Sequence, residues 1–150
     1  LINALTHPEG TVRRSAAQVL GRIGDRRAVE PLGMALYDLH IEMGQAAAEA
    51  LVGFGDAALG VLADALKHPE SDIRLHAIWA LTRIKKANVL PLLAGMLKDP
   101  DRLVVKQVIQ SMGGLKDARA ISVLTPIADD RSDRELSKLA REAIKTLQGQ

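Results

Sequence analysis

Cysteine is absent from this 150-residue chain, which excludes disulfide bonds, a thiolate nucleophile and any metal site built on cysteine. Aromatic residues make up only 2% of the sequence, with one Trp, one Tyr and one Phe. The core must therefore be built from Leu, Ala, Val and Ile. That composition favours closely packed helices over a sandwich or barrel, whose strands are rich in β-branched and aromatic residues.

Charge and hydropathy exclude further classes of protein. The net charge is only +2 at pH 7, so no excess of one sign favours nucleic acid or an anionic membrane. No apolar run is long enough to span a membrane, and no signal peptide is visible. We therefore expect no membrane partner and a cytoplasmic location. We expect a single domain over residues 1–150. Because the chain starts with Leu and not with Met, we also expect it to be a segment of a longer protein.

An internal repeat is the strongest positive signal. Leu20 recurs in register, at nearly equal steps along the chain, as Leu51, Leu81, Met112 and Ile144. A fixed period of about 30 residues is typical of a solenoid, in which each repeat buries its apolar face only against its neighbours. We expect all five residues to be buried and no β-strand anywhere in the chain.

Each repeat contains two helical patterns separated by a turn. A His-Pro or Asp-Pro pair ends the first helix, because Pro lacks an amide donor and restricts the residue before it. A Gly-Asp pair ends two of the second helices, at Gly24 and Gly55. The predicted second helices cover residues 10–23, 41–54, 71–84, 101–115 and 132–148. The predicted first helices lie near residues 28–37, 57–67, 88–98 and 119–128, after a remnant at residues 1–6.

The first repeat contains the string V-R-x-x-A-A-x-x-L-G-x-I-G-D-x-R-A-V-x-P-L over residues 12–32. This string resembles the short HEAT-like repeat of phycobilisome lyase subunits and of many scaffold proteins, and later repeats match it more loosely. The resemblance implies an all-α fold, a right-handed α-solenoid (superhelix) of about five antiparallel helix pairs. It also implies a ladder of turn hydrogen bonds and ion pairs between neighbouring repeats, made by the recurring Arg (Arg13, Arg74) and Asp (Asp25, Asp56, Asp117).

The resemblance further implies that second helices line a concave face, with the variable positions of the string exposed. At one of these positions Trp79 stands where the other repeats have Gln18, Glu49, Gln110 and Glu142. Trp beside Arg is the composition of a binding hot spot, although the ring could instead fill a gap between repeats. The predicted partner-binding residues are Arg14, Gln18, Arg22, Leu75, His76, Trp79, Arg83, Lys106 and Gln110.

No set of residues in the sequence points to catalysis. We find no G-x-S-x-G, no Gly-rich phosphate loop and no H-x-x-x-H, and His7 and His68 occupy equivalent turns before Pro. We therefore expect no enzymatic activity, no metal and no organic cofactor. The leading hypothesis is a non-catalytic interaction scaffold that binds a protein or peptide on the concave face.

Two other functions remain open at this point. The repeat type suggests a bilin lyase or chromophore-handling subunit, in which Arg22, Arg83 and His76 would meet the propionates of a tetrapyrrole. Nucleic-acid binding is favoured by Trp79 and several Arg, but the acidic residues on the same face and the near-neutral total oppose it. The sequence indicates neither the partner's identity nor an oligomeric state.

Overall fold

A computed structural model describes residues 1–38, 40–84 and 88–149. These residues contain nine α-helices and no strand, so the predicted all-α class is confirmed for them. The chain divides into two compact units, Leu1–Ile84 and Lys85–Gln150.

The first unit alternates first and second helices of the repeat. A 3₁₀ helix at Ile2–Thr6 takes the place of the helix predicted at residues 1–6. The α-helices that follow are α1 (Gly10–Ile23), α2 (Val29–Ala35), α3 (Ile41–Val52), α4 (Leu59–Ala65) and α5 (Ser71–Ile84). The second helices are α1, α3 and α5, and α3 packs against both of the others. The first helices are shorter than predicted, because α2 and α4 are each preceded by a 3₁₀ turn.

The second unit continues the same alternation. Its helices are α6 (Val89–Gly95), α7 (Arg102–Gly114), α8 (Arg119–Asp129) and α9 (Arg134–Leu147). The second helices α7 and α9 pack against each other, and α9 also packs against α8. A 3₁₀ turn at Met96–Lys98 continues α6 up to the Asp-Pro pair.

The ends of the helices have local causes that the sequence predicts. The Asp101 carboxylate accepts a hydrogen bond from the backbone N–H of Leu103 at 2.8 Å, which caps the start of α7. Gly24 ends α1 with φ of 70°, a left-handed conformation that costs glycine little because it has no Cβ. Gly55 also has a positive φ, 55°, in the turn after α3.

The register of the repeat is confirmed at four of its five positions. Leu20 is 4% exposed, and Leu51, Leu81 and Met112 are fully buried. The expectation that Ile144 is buried was wrong, because this side chain is half-buried. It lies on α9, and no described helix follows α9 to cover it.

Second helices meet through small residues. A Cβ atom on Gly21 of α1 would lie 2.9 Å from both Cα and Cβ of Ala50 on α3. In the second unit, a Cβ on Gly113 of α7 would lie 3.1 Å from the same two atoms of Ala143 on α9. Ala50 and Ala143 are consequently buried, although they occupy variable positions of the string that we expected to be exposed. The same correction applies to Ala46, Ala80 and Ser111.

Replacing Gly21 with Ala tests this close contact. Alanine favours a helix by about 1 kcal/mol over glycine, but the added methyl would overlap Ala50 and force the helices apart. We expect Gly21→Ala to lower the free energy of unfolding by about 1–3 kcal/mol in urea denaturation.

Gly60 provides the matched control, because it is exposed in α4 and no atom lies within 4 Å of the position of its missing Cβ. Gly60→Ala should therefore be neutral or stabilising by up to about 1 kcal/mol. Equal effects of the two substitutions would show that α1 and α3 are not in close contact at Gly21.

Candidate functional site

The second helices of the first unit carry most of the predicted binding residues. We use the name second-helix face for Arg14, Gln18, Gly21 and Arg22 of α1, Gln45, Ala46, Glu49 and Ala50 of α3, and Leu75, His76, Trp79 and Arg83 of α5. The side chains of Arg14, Gln18 and Arg22 on α1 are exposed, whereas Leu75, His76 and Trp79 on α5 are half-buried. The residues on α5 are therefore more enclosed than the sequence suggested.

Trp79 and Arg83 form a cation–π pair on this face. The guanidinium carbon of Arg83 lies 4.0 Å from the centre of the Trp79 ring, one helical turn away. Trp79 is half-buried and Arg83 is exposed. The pair places a positive charge against the face of the indole ring.

His76 fills a space beside Gly44. Gly44 stands on α3 where the neighbouring repeats have Arg13 and Arg74. A Cβ on Gly44 would lie 2.8 Å from Nδ1 of His76, so the imidazole occupies the room that the missing side chain leaves. Nδ1 is buried and has no hydrogen-bond partner in the described part of the chain. His76 thus contributes to packing between α3 and α5.

A groove of about 310 Å³ runs between α1 and α3. Arg22 and Glu49 contribute opposite charges to it, and Gln18 adds a neutral amide. Gly21, Ala46 and Ala50 complete its lining. Its chemistry therefore offers hydrogen-bond donors and acceptors over a base of small residues.

The recurring Arg side chains serve the turns, as the resemblance implied. Nη1 of Arg13 donates to the carbonyls of His7 and Pro8 at 2.8 and 2.9 Å. Nη1 of Arg74 donates in the same way to His68 and Pro69 at 2.8 and 2.7 Å. Each Arg thereby holds the turn that leads into its own helix.

The two histidines before Pro are turn residues, as predicted. Nδ1 of His7 accepts a hydrogen bond from the backbone N–H of Glu9 at 3.1 Å, and Nδ1 of His68 accepts one from Glu70 at the same distance. The ring of His68 also stacks on Tyr37 with 4.9 Å between the ring centres.

The ion pairs of two recurring Asp side chains lie within a single turn, and not between repeats as the resemblance implied. Asp25 binds Arg27 and Asp117 binds Arg119, with 2.6 Å between Nη2 of Arg119 and Oδ2 of Asp117. These hydrogen bonds lower the pKa of the Asp25 carboxyl to about 2 and also lower that of Asp117. At Asp38, burial is the largest single effect on the pKa, and it opposes ionisation. Hydrogen bonds from His40 and Arg13 outweigh that effect and lower its pKa.

The second unit contains the other two predicted binding residues, Lys106 and Gln110 of α7. Gln110 is exposed. Lys106 is half-buried, and its Nζ forms an ion pair with Glu135 of α9 at 2.5 Å. Arg102 binds Glu135 at 3.0 Å and Asp133 at 2.6 Å, so these side chains link α7 to α9. Lys106 therefore already has a structural partner.

Sequence reasoning missed the roles of His76 and Lys106 in packing and ion pairing. The signal for His76 was present, because Gly44 is the repeat's departure from Arg and leaves a space that a neighbouring side chain can fill. The ion pair of Lys106 was harder to predict, because Glu135 belongs to the following repeat. Predicting it requires the relative orientation of α7 and α9.

Residues 1–38, 40–84 and 88–149 hold no group of three or more His, Asp or Glu side chains placed to bind a metal ion. Within the same ranges, no helix has the length and apolar character needed to cross a membrane.

Comparison with known proteins identifies the repeat. A family profile described as HEAT repeats matches residues 1–69 and 59–145. No curated protein matches the chain. Many solved structures resemble it, and those described next are at most 23% identical to it, so the likeness concerns the fold.

Three solved structures illustrate this fold. The complex of CpcE and CpcF of phycocyanin lyase from Nostoc sp. PCC7120 gives a TM-score of 0.69 at 23% identity, covering 99% of this chain and 64% of that chain. Human deoxyhypusine hydroxylase in complex with glycerol gives 0.60 at 18% identity, with coverages of 99% and 73%. A designed armadillo repeat protein in complex with peptide (KR)4 gives 0.60 at 18% identity, with coverages of 97% and 80%. The fold is therefore that of the helical-repeat solenoids.

The packing of His76 predicts a pH dependence of stability. Burial lowers the pKa of the imidazole from its ordinary value of 6.5, and the smaller effect of the Asp72 carboxylate opposes this. The unfolded chain therefore binds a proton more readily than the folded chain does. The contribution of neutral His76 to stability should be lost as the pH falls from above 6.5 towards the lower pKa of the folded state.

The measurement is the free energy of unfolding of the wild type and of His76→Gln, by urea denaturation from about pH 7.5 to about pH 5. The difference, wild type minus variant, should decrease as the pH is lowered. The other titrating groups are common to both proteins and cancel. A difference that stays constant would show that His76 titrates equally in both states.

Proposed function

The chain belongs to the HEAT-repeat family, and on that premise we propose that it is a non-catalytic interaction module. Its second-helix face, which the family resemblance makes the concave side of the solenoid, binds another protein or a peptide. Trp79 and Arg83 form the anchor, and Arg14, Gln18 and Arg22 contribute a polar rim.

The observation that carries this proposal is the Trp79–Arg83 pair. The counterparts of Trp79 are Gln18, Glu49, Gln110 and Glu142, all of them exposed, so packing of the repeat does not require an aromatic ring at this position. Trp and Arg are among the residue types most enriched at the energetic centres of protein interfaces. The cation–π contact keeps the ring ordered before a partner arrives, which reduces the entropy lost on binding.

The structural relatives support a binding role without specifying the partner. One is a complex of CpcE with CpcF, and another is a designed armadillo protein in complex with a peptide. A helical-repeat fold hosts many functions, so the proposal depends on the side chains of this face.

Three carboxylates with lowered pKa values support a role without catalysis. The pKa of Asp133 is held low by Arg102, as those of Asp25 and Asp117 are by Arg27 and Arg119. Each of these shifts comes from an ion pair within the repeat framework. Such pairs stabilise the fold, and a carboxylate whose pKa is lowered in this way is poorly suited to proton transfer at neutral pH.

Selection of a phage-displayed library of random dodecapeptides against the chain tests the proposal. The decisive variant is Trp79→Gln, because Gln is the residue that equivalent positions 18 and 110 already accommodate. Selected peptides should bind this variant at least about thirtyfold more weakly, which corresponds to ~2 kcal/mol, with little change in Tm.

Met34→Ala serves as the control for loss of apolar surface elsewhere. Met34 is 69% exposed on α2, outside the second-helix face, so this substitution should leave binding unchanged. Enrichment of no peptide, or of peptides that bind Trp79→Gln as well as the wild type, would refute the proposal. A large drop in Tm for Trp79→Gln would instead identify Trp79 as a packing residue.

A further inference from the structure

The groove between α1 and α3 carries charges of opposite sign. Arg22 lies on the α1 side and Glu49 on the α3 side, and both side chains are exposed. The composition of the chain extends this contrast. Residues 32–61 contain no Lys or Arg, whereas α1 contributes Arg14 as well as Arg22 to the face. The sign of the charge therefore changes from one second helix to the next.

Neither charge in the groove is neutralised by an ion pair within the first unit. Arg22 has no hydrogen-bond or ion-pair partner among the described residues. The carboxylate of Glu49 accepts a hydrogen bond from the side-chain amide of Gln45 at 3.1 Å, which orients it without cancelling its charge. Both groups therefore remain available to a ligand, and each would repel a ligand group of its own sign.

The small residues of the groove let a ligand backbone approach the helices. Ala46 and Ala50 are 3% and 7% exposed, and Gly21 lies against Ala50. Small side chains therefore form the base of the groove, and its long side chains stand at the walls. A peptide in the polyproline II conformation can lie across α1 and α3 and present every third side chain to the helices, because this conformation has three residues per turn.

The spacing of the helices sets the spacing of the ligand side chains. Axes of packed helices are about 8–10 Å apart, and a peptide in the polyproline II conformation advances about 3.1 Å per residue, with every third side chain on the same side. About three peptide residues thus separate the point opposite α1 from the point opposite α3. Because α5 also packs against α3, a similar number of peptide residues separates the point opposite α3 from the point opposite α5, the helix that carries Trp79.

We propose that the second-helix face binds a peptide of mixed charge, in the polyproline II conformation and in a defined order. An acidic residue meets Arg22, a basic residue about three positions along meets Glu49, and an apolar residue about three positions further meets Trp79. The proposal rests on the binding function proposed above and adds the chemistry of the partner. Either chain direction satisfies the order, but exchange of the acidic and basic residues does not.

Two heptapeptides of identical composition test the order. The matched peptide has Glu at its first, Lys at its fourth and Leu at its seventh position, with Ser and Gly elsewhere. The exchanged peptide has Lys first and Glu fourth. Binding is followed by the fluorescence of Trp79, the single Trp of the chain. We expect the matched peptide to bind about tenfold more tightly at low salt, and the preference to shrink as salt is added.

The charge-reversed protein, with Arg22→Glu and Glu49→Arg together, is the internal control. It keeps the net charge of the chain, and both substituted side chains are exposed, so the fold is retained and can be checked by circular dichroism. This protein should prefer the exchanged peptide by a similar factor. Equal binding of both peptides to the wild type, a preference that does not reverse, or no binding of either peptide would overturn the proposed order.

A calorimetric comparison with Trp79→Gln separates this inference from the function on which it rests. If both peptides bind equally and both lose affinity in Trp79→Gln, the face binds peptides but does not read charge order. If the charge-reversed protein prefers the exchanged peptide while Trp79→Gln leaves the affinity for both peptides unchanged, the groove between α1 and α3 is the binding site and Trp79 is not its anchor. The library selection above decides the function in either case.

Discussion

The contact between successive second helices through small residues is the constraint on which both units depend. Gly21 meets Ala50 in the first unit and Gly113 meets Ala143 in the second, at distances that leave no room for a larger side chain. This contact brings α1 close to α3 and α7 close to α9. It also fixes which variable positions stay exposed, because those along the line of contact must be small. On the second-helix face, the exposed side chains of Gln18, Arg22 and Glu49 stand beside a groove whose other lining residues are Gly21, Ala46 and Ala50.

Most of the fold could be predicted because its causes are local or periodic. The ends of the helices can be predicted from the sequence, because the residues that cause them act locally. These residues are Pro after His or Asp, Gly in a left-handed turn and Asp at the start of a helix. The regular recurrence of Leu20 then identified the buried positions. Exceptions arose where the outcome depends on a neighbouring helix. Ile144 lacks a described helix to cover it, and Ala46 and Ala50 are buried although their positions in the string are variable.

The candidate site was less predictable, because side-chain partners come from different helices. The register identified Trp79 and placed Arg83 one turn away, and their contact follows from helix geometry alone. It could not show that His76 fills the space beside Gly44, since that requires the distance between α3 and α5. The pairing of Lys106 with Glu135 likewise depends on how α7 faces α9.

Residues that differ from their counterparts in the other repeats are candidates for function only where no neighbouring side chain compensates for the difference by packing. Gly44 departs from the recurring Arg, but His76 fills the space and the departure is absorbed by packing. Trp79 differs from the Gln and Glu of the other repeats, and the side chain that it contacts, Arg83, is exposed at the surface. A difference that a neighbouring side chain fills contributes to folding, as the hydrogen bonds of Arg13 and Arg74 do. A departure that ends at the surface adds apolar area and charge that the repeat does not need, and the binding function that we propose gives this addition a role.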